Sequence, residues 1–212
     1  WSETRQGKGT CVGRALPGID IRIIRPVEGV IRAWGDVELL PPREIGEIVV
    51  RGPVVTRSYD NNPGENAAAK IADGKGFWHR MGDMGYLDET GRLWFCGRKN
   101  HRVMTAGGVM YTVPCEAIFN EHPEVKRTAL VGVGKEGEQQ PVLVVELVKG
   151  GKTTVQLADE LRQLAASHEL TSSITTFLFH PSFPVDIRHN AKIFREKLAV
   201  WAADQLHEHE QG

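Results

Sequence analysis

Alternation of apolar and polar positions marks the first element of the chain. Ile19-Asp20-Ile21-Arg22-Ile23 puts isoleucines on one side and charges on the other, the period-two pattern of a half-buried strand. Glu47–Arg51 reads as a second strand, bracketed by Gly46 and Gly52. Tyr86-Leu87 and Leu93-Trp94-Phe95 flank Asp88-Glu89-Thr90-Gly91, a hairpin turn whose glycine can take a positive φ. The first hundred residues therefore predict antiparallel β-structure with short connections, plus one helix around Glu65–Ile71. Beyond Arg98 the period changes. Pro114–Glu121 predicts a short helix, Thr128–Val133 a strand, and Pro141–Val148 a strand rich in β-branched residues. Thr153-x-x-Gln156 fits a capping box opening a helix with Leu157, Leu161, Leu164 and Ala165 on one face. Thr176–Phe179 predicts a third strand, and Asn190 a cap for a final helix carrying Phe194, Leu198 and Trp201 on one stripe. The tail His207-Glu208-His209-Glu210 is polar, and its histidines read as solvated.

Composition narrows the class without naming it. Of 212 residues, 41% are apolar and 25% charged, as in ordinary globular proteins. A formal net charge of −1 gives no general attraction to nucleic acid or to an anionic membrane, so no nucleic-acid partner is expected. The longest apolar runs, such as Val142–Val145, fall far short of the ~20 residues a transmembrane helix needs. Cys11, Cys96 and Cys115 form no CxxC pair and fit a reducing compartment, here expected to be the cytoplasm. Cys96 and Cys115 have no evident base partner and read as small buried apolar residues, and Trp78, Trp94 and Trp201 as core. The chain opens on Trp1 with no signal or transit pattern, and is expected to be a piece of a longer polypeptide.

Four segments carry candidate chemistry: Gly46–Pro53 with Tyr59, His79-Arg80-Met81-Gly82-Asp83-Met84-Gly85, Gly97-Arg98-Lys99-Asn100, and Pro184 leading to Asn190-Ala191-Lys192. Singly each is weak, since a Gly-Asp pair is usually a turn and a Gly-Arg pair at a strand end is usually solvated. In this order and spacing, they resemble the later core motifs of the acyl-adenylate-forming superfamily, which includes acyl-CoA synthetases, peptide-synthetase adenylation domains and luciferases. The resemblance runs from about Val12 to about Ala202. The ending from Phe183 to Lys192 resembles most the β-lactone synthetases of bacterial olefin biosynthesis, a group formerly classed with fatty-acyl-CoA ligases.

The resemblance implies an α+β fold: the C-terminal β-rich portion of a large adenylate-forming domain (1–98), then a small mobile α+β C-terminal domain (99–212). It implies that Asp83 accepts hydrogen bonds from the ribose hydroxyls of ATP, ionised carboxylates being the stronger acceptors. The plain alternative is a turn aspartate satisfying nearby N–H groups. Arg98 resembles the arginine that closes the large domain and reaches the ribose; otherwise it is a surface arginine. Asn100 stands where relatives place a hinge aspartate, and asparagine tolerates unusual φ/ψ while lacking the charge. Met81 replaces a usual threonine, which removes a hydroxyl from any phosphate contact. The loop Thr105-Ala106-Gly107-Gly108 is either a lining of the second half-reaction's tunnel or a flexible hairpin tip.

Lys192 is the catalytic candidate. Placed in the first turn of a helix capped by Asn190, it would oppose the helix dipole by ~0.3–1 kcal/mol unless an anion lay beside it. The resemblance supplies that anion in the carboxylate and α-phosphate that react during adenylation. Without the resemblance, a solvated lysine is the default. Arg188 and His189 add positive potential.

The intact enzyme would adenylate a fatty acid, β-hydroxylated in one reading, with Mg²⁺ between the phosphates and no metal ligand in this chain. It would then form either a β-lactone or, as a fatty-acyl-CoA ligase proper, a CoA thioester, releasing AMP. Enzymes of the same pathway are candidate partners. The phosphate-gripping loop and the segment contacting adenine and positioning Mg²⁺ are not found in the sequence, so the 212-residue chain alone is expected to be inactive. The contrasting class is a non-catalytic module that holds a protein partner.

Overall fold

The structure is a computed structural model describing residues 2–53, 68–186 and 189–210. The chain divides into two compact units, Gly9–Asn100 and His101–Gly212 together with Trp1–Lys8. They part between Asn100 and His101, two residues beyond the expected division, and the helical turn Thr4–Lys8 packs within the second unit.

The first unit is an antiparallel sheet of β1 (Thr10–Gly13), β2 (Asp20–Ile24), β3 (Gly46–Arg51), β4 (Lys70–Asp73), β5 (Gly76–Leu87) and β6 (Leu93–Arg98), in the order β1-β6-β5-β3-β2. The long β5 is its spine: the first half pairs with β4, the second with β6, and β3 lies along its other edge. Ile24, Val49, Ile71 and Trp78 form the core with Ile31, and Trp34 stacks on Trp78 at 4.4 Å. Ile71, expected to end a helix, pairs with Trp78 in β4 instead; its burial against Val49 and Trp78 outweighs local helix propensity. Residues 65–67 of that predicted helix, and Tyr59, lie outside the described residues.

The second unit begins with a hairpin of β7 (Val103–Thr105) and β8 (Gly108–Met110). Thr105–Gly108 is thus a hairpin tip, in which Thr105 Oγ1 accepts the Gly107 N–H. Next comes α1 (Thr112–Phe119), then a sheet of β9 (Val125–Val133), β10 (Gln140–Leu147) and β11 (Thr176–Phe179), in the order β11-β10-β9. β9 and β10 are antiparallel, while β10 and β11 are parallel, their crossover carrying α2 (Val155–Ala166). Leu130, Leu143 and Val145 point to one face, against residues of α1 and α2; Ala129, Val131, Val142 and Val144 point to the other, against α3 (Arg195–Glu210). A strand buried on both faces has no polar side to alternate with, which accounts for the unbroken apolar run Val142–Val145.

Two helix starts differ from expectation. The cap of α2 is Thr154, whose Oγ1 accepts the Leu157 N–H at 3.0 Å. Only Thr153 has the Gln that completes a capping box, but the register that turns Leu157, Leu161 and Ala165 into the core selects Thr154. Asn190 caps no helix. β12 (Val185–Asp186) pairs with β13 (His189–Ile193), and the Phe194 N–H donates to Pro184 O at 2.9 Å. This pairing occupies the backbone through Ile193, so α3 starts only at Arg195.

Candidate functional site

Asp83 sits where β5 departs from regular pairing. Val49 faces Arg80 and Glu47 faces Met84, so Met81-Gly82-Asp83 stand opposite Ile48 alone. Gly82 adopts φ 65°, a conformation costly for any residue with a Cβ, and this lets the chain bulge. On the other edge Asp83 faces Arg98, while the extra residue Cys96 shifts the β6 register just beyond. Two irregular strands thus bring together residues fifteen apart in the chain, counting from 83 to 98.

The pair is asymmetric. The Asp83 side chain is 16% exposed and that of Arg98 57%, with Arg98 Nη1 2.9 Å from Asp83 Oδ1. That contact is ionic; among the described residues no donor meets the buried Oδ1 in hydrogen-bond geometry. Burial pushes the Asp83 carboxyl above its ordinary pKa, and Arg98 opposes the shift. The arrangement offers a ligand an acceptor with unused capacity beside a half-exposed cation, which suits paired hydroxyl groups.

A buried network holds both strands in place. Glu47 accepts from Arg80 Nε at 3.0 Å and Nη2 at 2.7 Å, both side chains being almost fully buried. Arg80 also donates to the carbonyls of Gly29, Ala68 and Val27, and Lys99 Nζ to Val27 O at 2.5 Å. Lys99 Nζ lies 3.3 Å from Glu47 Oε2. Arg80 precedes the bulge and Lys99 follows Arg98, so the network fixes the backbone on either side of the Asp83–Arg98 pair. Sequence reading gave these three residues no role. The available signal was charge at Glu47 and Arg80 within otherwise apolar strands, but nothing local pairs residues so far apart.

Asn100 is exposed in the turn Lys99–His101, the last residue of the first unit. Its φ is ordinary: Arg43 is the one described non-glycine residue with positive φ. The tolerance of asparagine for left-handed backbone is therefore unused in this conformation.

Lys192 lies in the second unit, on β13 rather than in a helix. The argument from opposition to a helix dipole therefore falls. Val185 faces Ile193 and Asp186 faces His189, leaving Asn190-Ala191-Lys192 without register partners, and Lys192 is exposed. Arg188 lies outside the described residues. Three residues beyond Lys192, Arg195 Nη1 and Nη2 donate to Glu116 Oε1 and Oε2 at 2.5 and 2.9 Å. Glu116 Oε1 also accepts the Leu130 N–H at 2.8 Å. Burial pushes the Glu116 carboxyl up and Arg195 pulls it back. Burial, then the neighbouring Glu116 charge, raises the Cys115 thiol to about 12, which removes it as a nucleophile.

A cleft of about 780 Å³ in the second unit is walled by Lys126, Glu146, Lys149, Gly151, His180 and Ser182. Lys126 and Arg127 pair with the buried Glu146, which offsets only one of their charges, and Lys149 adds another, so the cleft is positive. Among the described residues, no group of three or more His, Cys, Asp or Glu could hold a metal ion. None of the described helices is long and apolar enough to cross a membrane.

No protein-family model matches the sequence. The chain is 52% identical over 209 residues to an olefin β-lactone synthetase of Xanthomonas campestris pv. campestris, which covers 95% of this chain and 38% of that protein. A second olefin β-lactone synthetase, from Stenotrophomonas maltophilia, is 51% identical over 208 residues, with 96% and 38% covered. The chain thus spans about 38% of the length of these relatives. The o-succinylbenzoate CoA synthetase of Bacillus subtilis, solved in complex with its acyl-adenylate intermediate, matches with a TM-score of 0.71 at 26% identity, over 89% of this chain and 35% of that one. With its mixed α+β architecture and this identity over nearly its full length, the chain is similar to a portion of the acyl-adenylate-forming enzymes.

Proposed function

We propose that the full-length protein uses ATP to adenylate a fatty acid bearing a β-hydroxyl group and then closes it to a β-lactone, releasing AMP. The observation that carries this reading is the half-satisfied Asp83 carboxylate facing Arg98 in a chain 52% identical to an olefin β-lactone synthetase. Asp83 accepts from the ribose hydroxyls, and Arg98, released from its ion pair, closes over the sugar. A carboxylate oxygen of the acid bonds to the α-phosphorus, and pyrophosphate departs with the electrons of the broken P–O bond. Lys192, exposed on an unpaired stretch of strand, offsets the negative charge that accumulates as this happens. The β-hydroxyl oxygen then attacks the acyl carbon, giving up its proton, and AMP leaves from the acyl–phosphate bond. Mg²⁺ would shield the phosphates; no described residue is assigned to it.

The two units correspond, in this proposal, to the end of the large domain and the mobile small domain, pivoting at Asn100 so that Lys192 serves only the first step. The three free cysteines fit a reducing, cytoplasmic setting.

The test uses the full-length protein with ATP and a β-hydroxy fatty acid, with and without CoA, analysed by product mass. A lactone in both arms supports the proposal, while a thioester formed only with CoA replaces it by acyl-CoA ligation. Lys192→Ala is expected to slow ATP–pyrophosphate exchange by ~10²-fold or more. Exchange at the parental rate would remove Lys192 from the mechanism and favour a partner-binding role for its unit.

A further inference from the structure

We propose that the buried Glu116–Arg195 ion pair is a positioning device for Lys192; this inference rests on the assignment of Lys192 to the adenylation step. Lys192 closes a three-residue stretch without cross-strand partners, so its place is set by the anchoring of residues 193–195. Ile193 packs into the cluster formed by Phe183, Leu198 and Ala202, and the Phe194 N–H is tied to Pro184 O. Arg195, the first residue of α3, is held by both nitrogens of its fork.

The pair spans the sheet. Glu116 belongs to α1, on the face of Leu130 and Leu143, whereas α3 packs its Leu198 and Ala202 on the opposite face. β9 is an edge strand, and the Arg195–Glu116 contact joins the helices of the two layers, with Glu116 also holding the Leu130 N–H of β9. One carboxylate therefore links three elements to the junction that carries Lys192. A planar fork against a carboxylate fixes angle as well as distance, which an ammonium group does not. Both side chains are nearly excluded from water, at 14% and 9% exposure, so the contact is little loosened by solvent exchange. Packing of Leu198 and Ala202, with Ala199, Trp201 and Leu206 beside them, secures α3 to its layer; the fork sets the direction in which the preceding strand leaves it.

Arg195→Lys and Glu116→Gln test the fork while retaining side-chain size. The Glu116→Gln/Arg195→Met double variant removes both charges while the amide oxygen can still accept the buried Leu130 N–H, which keeps the fold testable. In the full-length protein, each is expected to slow ATP–pyrophosphate exchange by ~10–100-fold, as displacement of a reacting group by about 1 Å does. Consumption of supplied acyl-adenylate should stay within about twofold of the parent, because Lys192 serves only the first step. Parental exchange in a folded double variant overturns the proposal, as does equal loss in both half-reactions, which would mark a general structural role. Lys192→Ala, run alongside, separates the two ideas. If it leaves exchange unchanged, the assignment of Lys192 and the positioning role fall together; if it slows exchange while the pair variants do not, only the positioning role falls.

Discussion

Asp83 carries a burial cost that Arg98 offsets only in part. Its buried Oδ1 has no hydrogen-bond donor among the described residues, and burial pushes its carboxyl pKa up, so the folded chain gains little from the charge. Asp83→Ala is therefore expected to keep or raise the melting temperature of the full-length protein. The same change should weaken nucleotide binding by ~10–150-fold, the loss of hydrogen bonds to a charged group worth roughly 1.5–3 kcal/mol. Calorimetric titration with ATP beside a thermal melt checks both halves; a variant that melts early yet binds ATP normally would make Asp83 a structural turn residue. Asp88, also acidic and only five residues on, has the opposite balance. Burial would raise its pKa, but the Arg92 N–H, the Trp94 indole, the hydroxyl and N–H of Thr90 and the Arg92 guanidinium hold it well below the usual carboxylate range.

At the scale of elements, Asp88 closes the β5–β6 hairpin that presents Asp83 and Arg98. A carboxyl whose folded pKa is depressed stabilises the fold above its unfolded pKa of about 3.9, and that contribution is lost as pH falls through the folded value. Denaturant midpoints between pH 5 and pH 2 are therefore expected to decline in the parent, and to decline less in Asp88→Asn, which cannot accept all five bonds. Parallel decline in both would assign the acid sensitivity to other groups. The β12–β13 hairpin shows the limit of local reading. Asn190 has the chemistry of a helix cap, yet Val185 and Asp186 recruit residues 189–193 into a strand, and the helix begins four residues later than the cap position implies.

For the whole molecule, the chain passes between the two compact units at Lys8–Gly9 and at Asn100–His101. Asn100→Pro restrains the backbone there and at Lys99. If this point is the pivot between half-reactions, overall turnover is expected to fall ~10-fold or more, while at least one half-reaction measured alone remains within about threefold of the parent. Unchanged overall turnover would place the pivot elsewhere.

The range of each interaction governs how much of the fold and site is legible in the sequence. The strands β3, β10 and β11, the β5–β6 hairpin and the α+β class were legible because period and turn chemistry are local properties, and the order of short motifs identified the superfamily. The choice between Thr153 and Thr154, the strand at Ile71 and the late start of α3 depended on which pairing buries most apolar surface, which no local window contains. The ionic contacts that hold the site, Glu47 with Arg80 and Glu116 with Arg195, join residues 33 and 79 apart. Sequence by itself determined that Asp83, Arg98 and Lys192 are present as candidate side chains, in that order along the chain. Tertiary structure alone decided that Asp83 and Arg98 face each other across two bulged strands, and that Lys192 stands on a strand anchored through a buried arginine, because register and burial are settled only when distant segments pack.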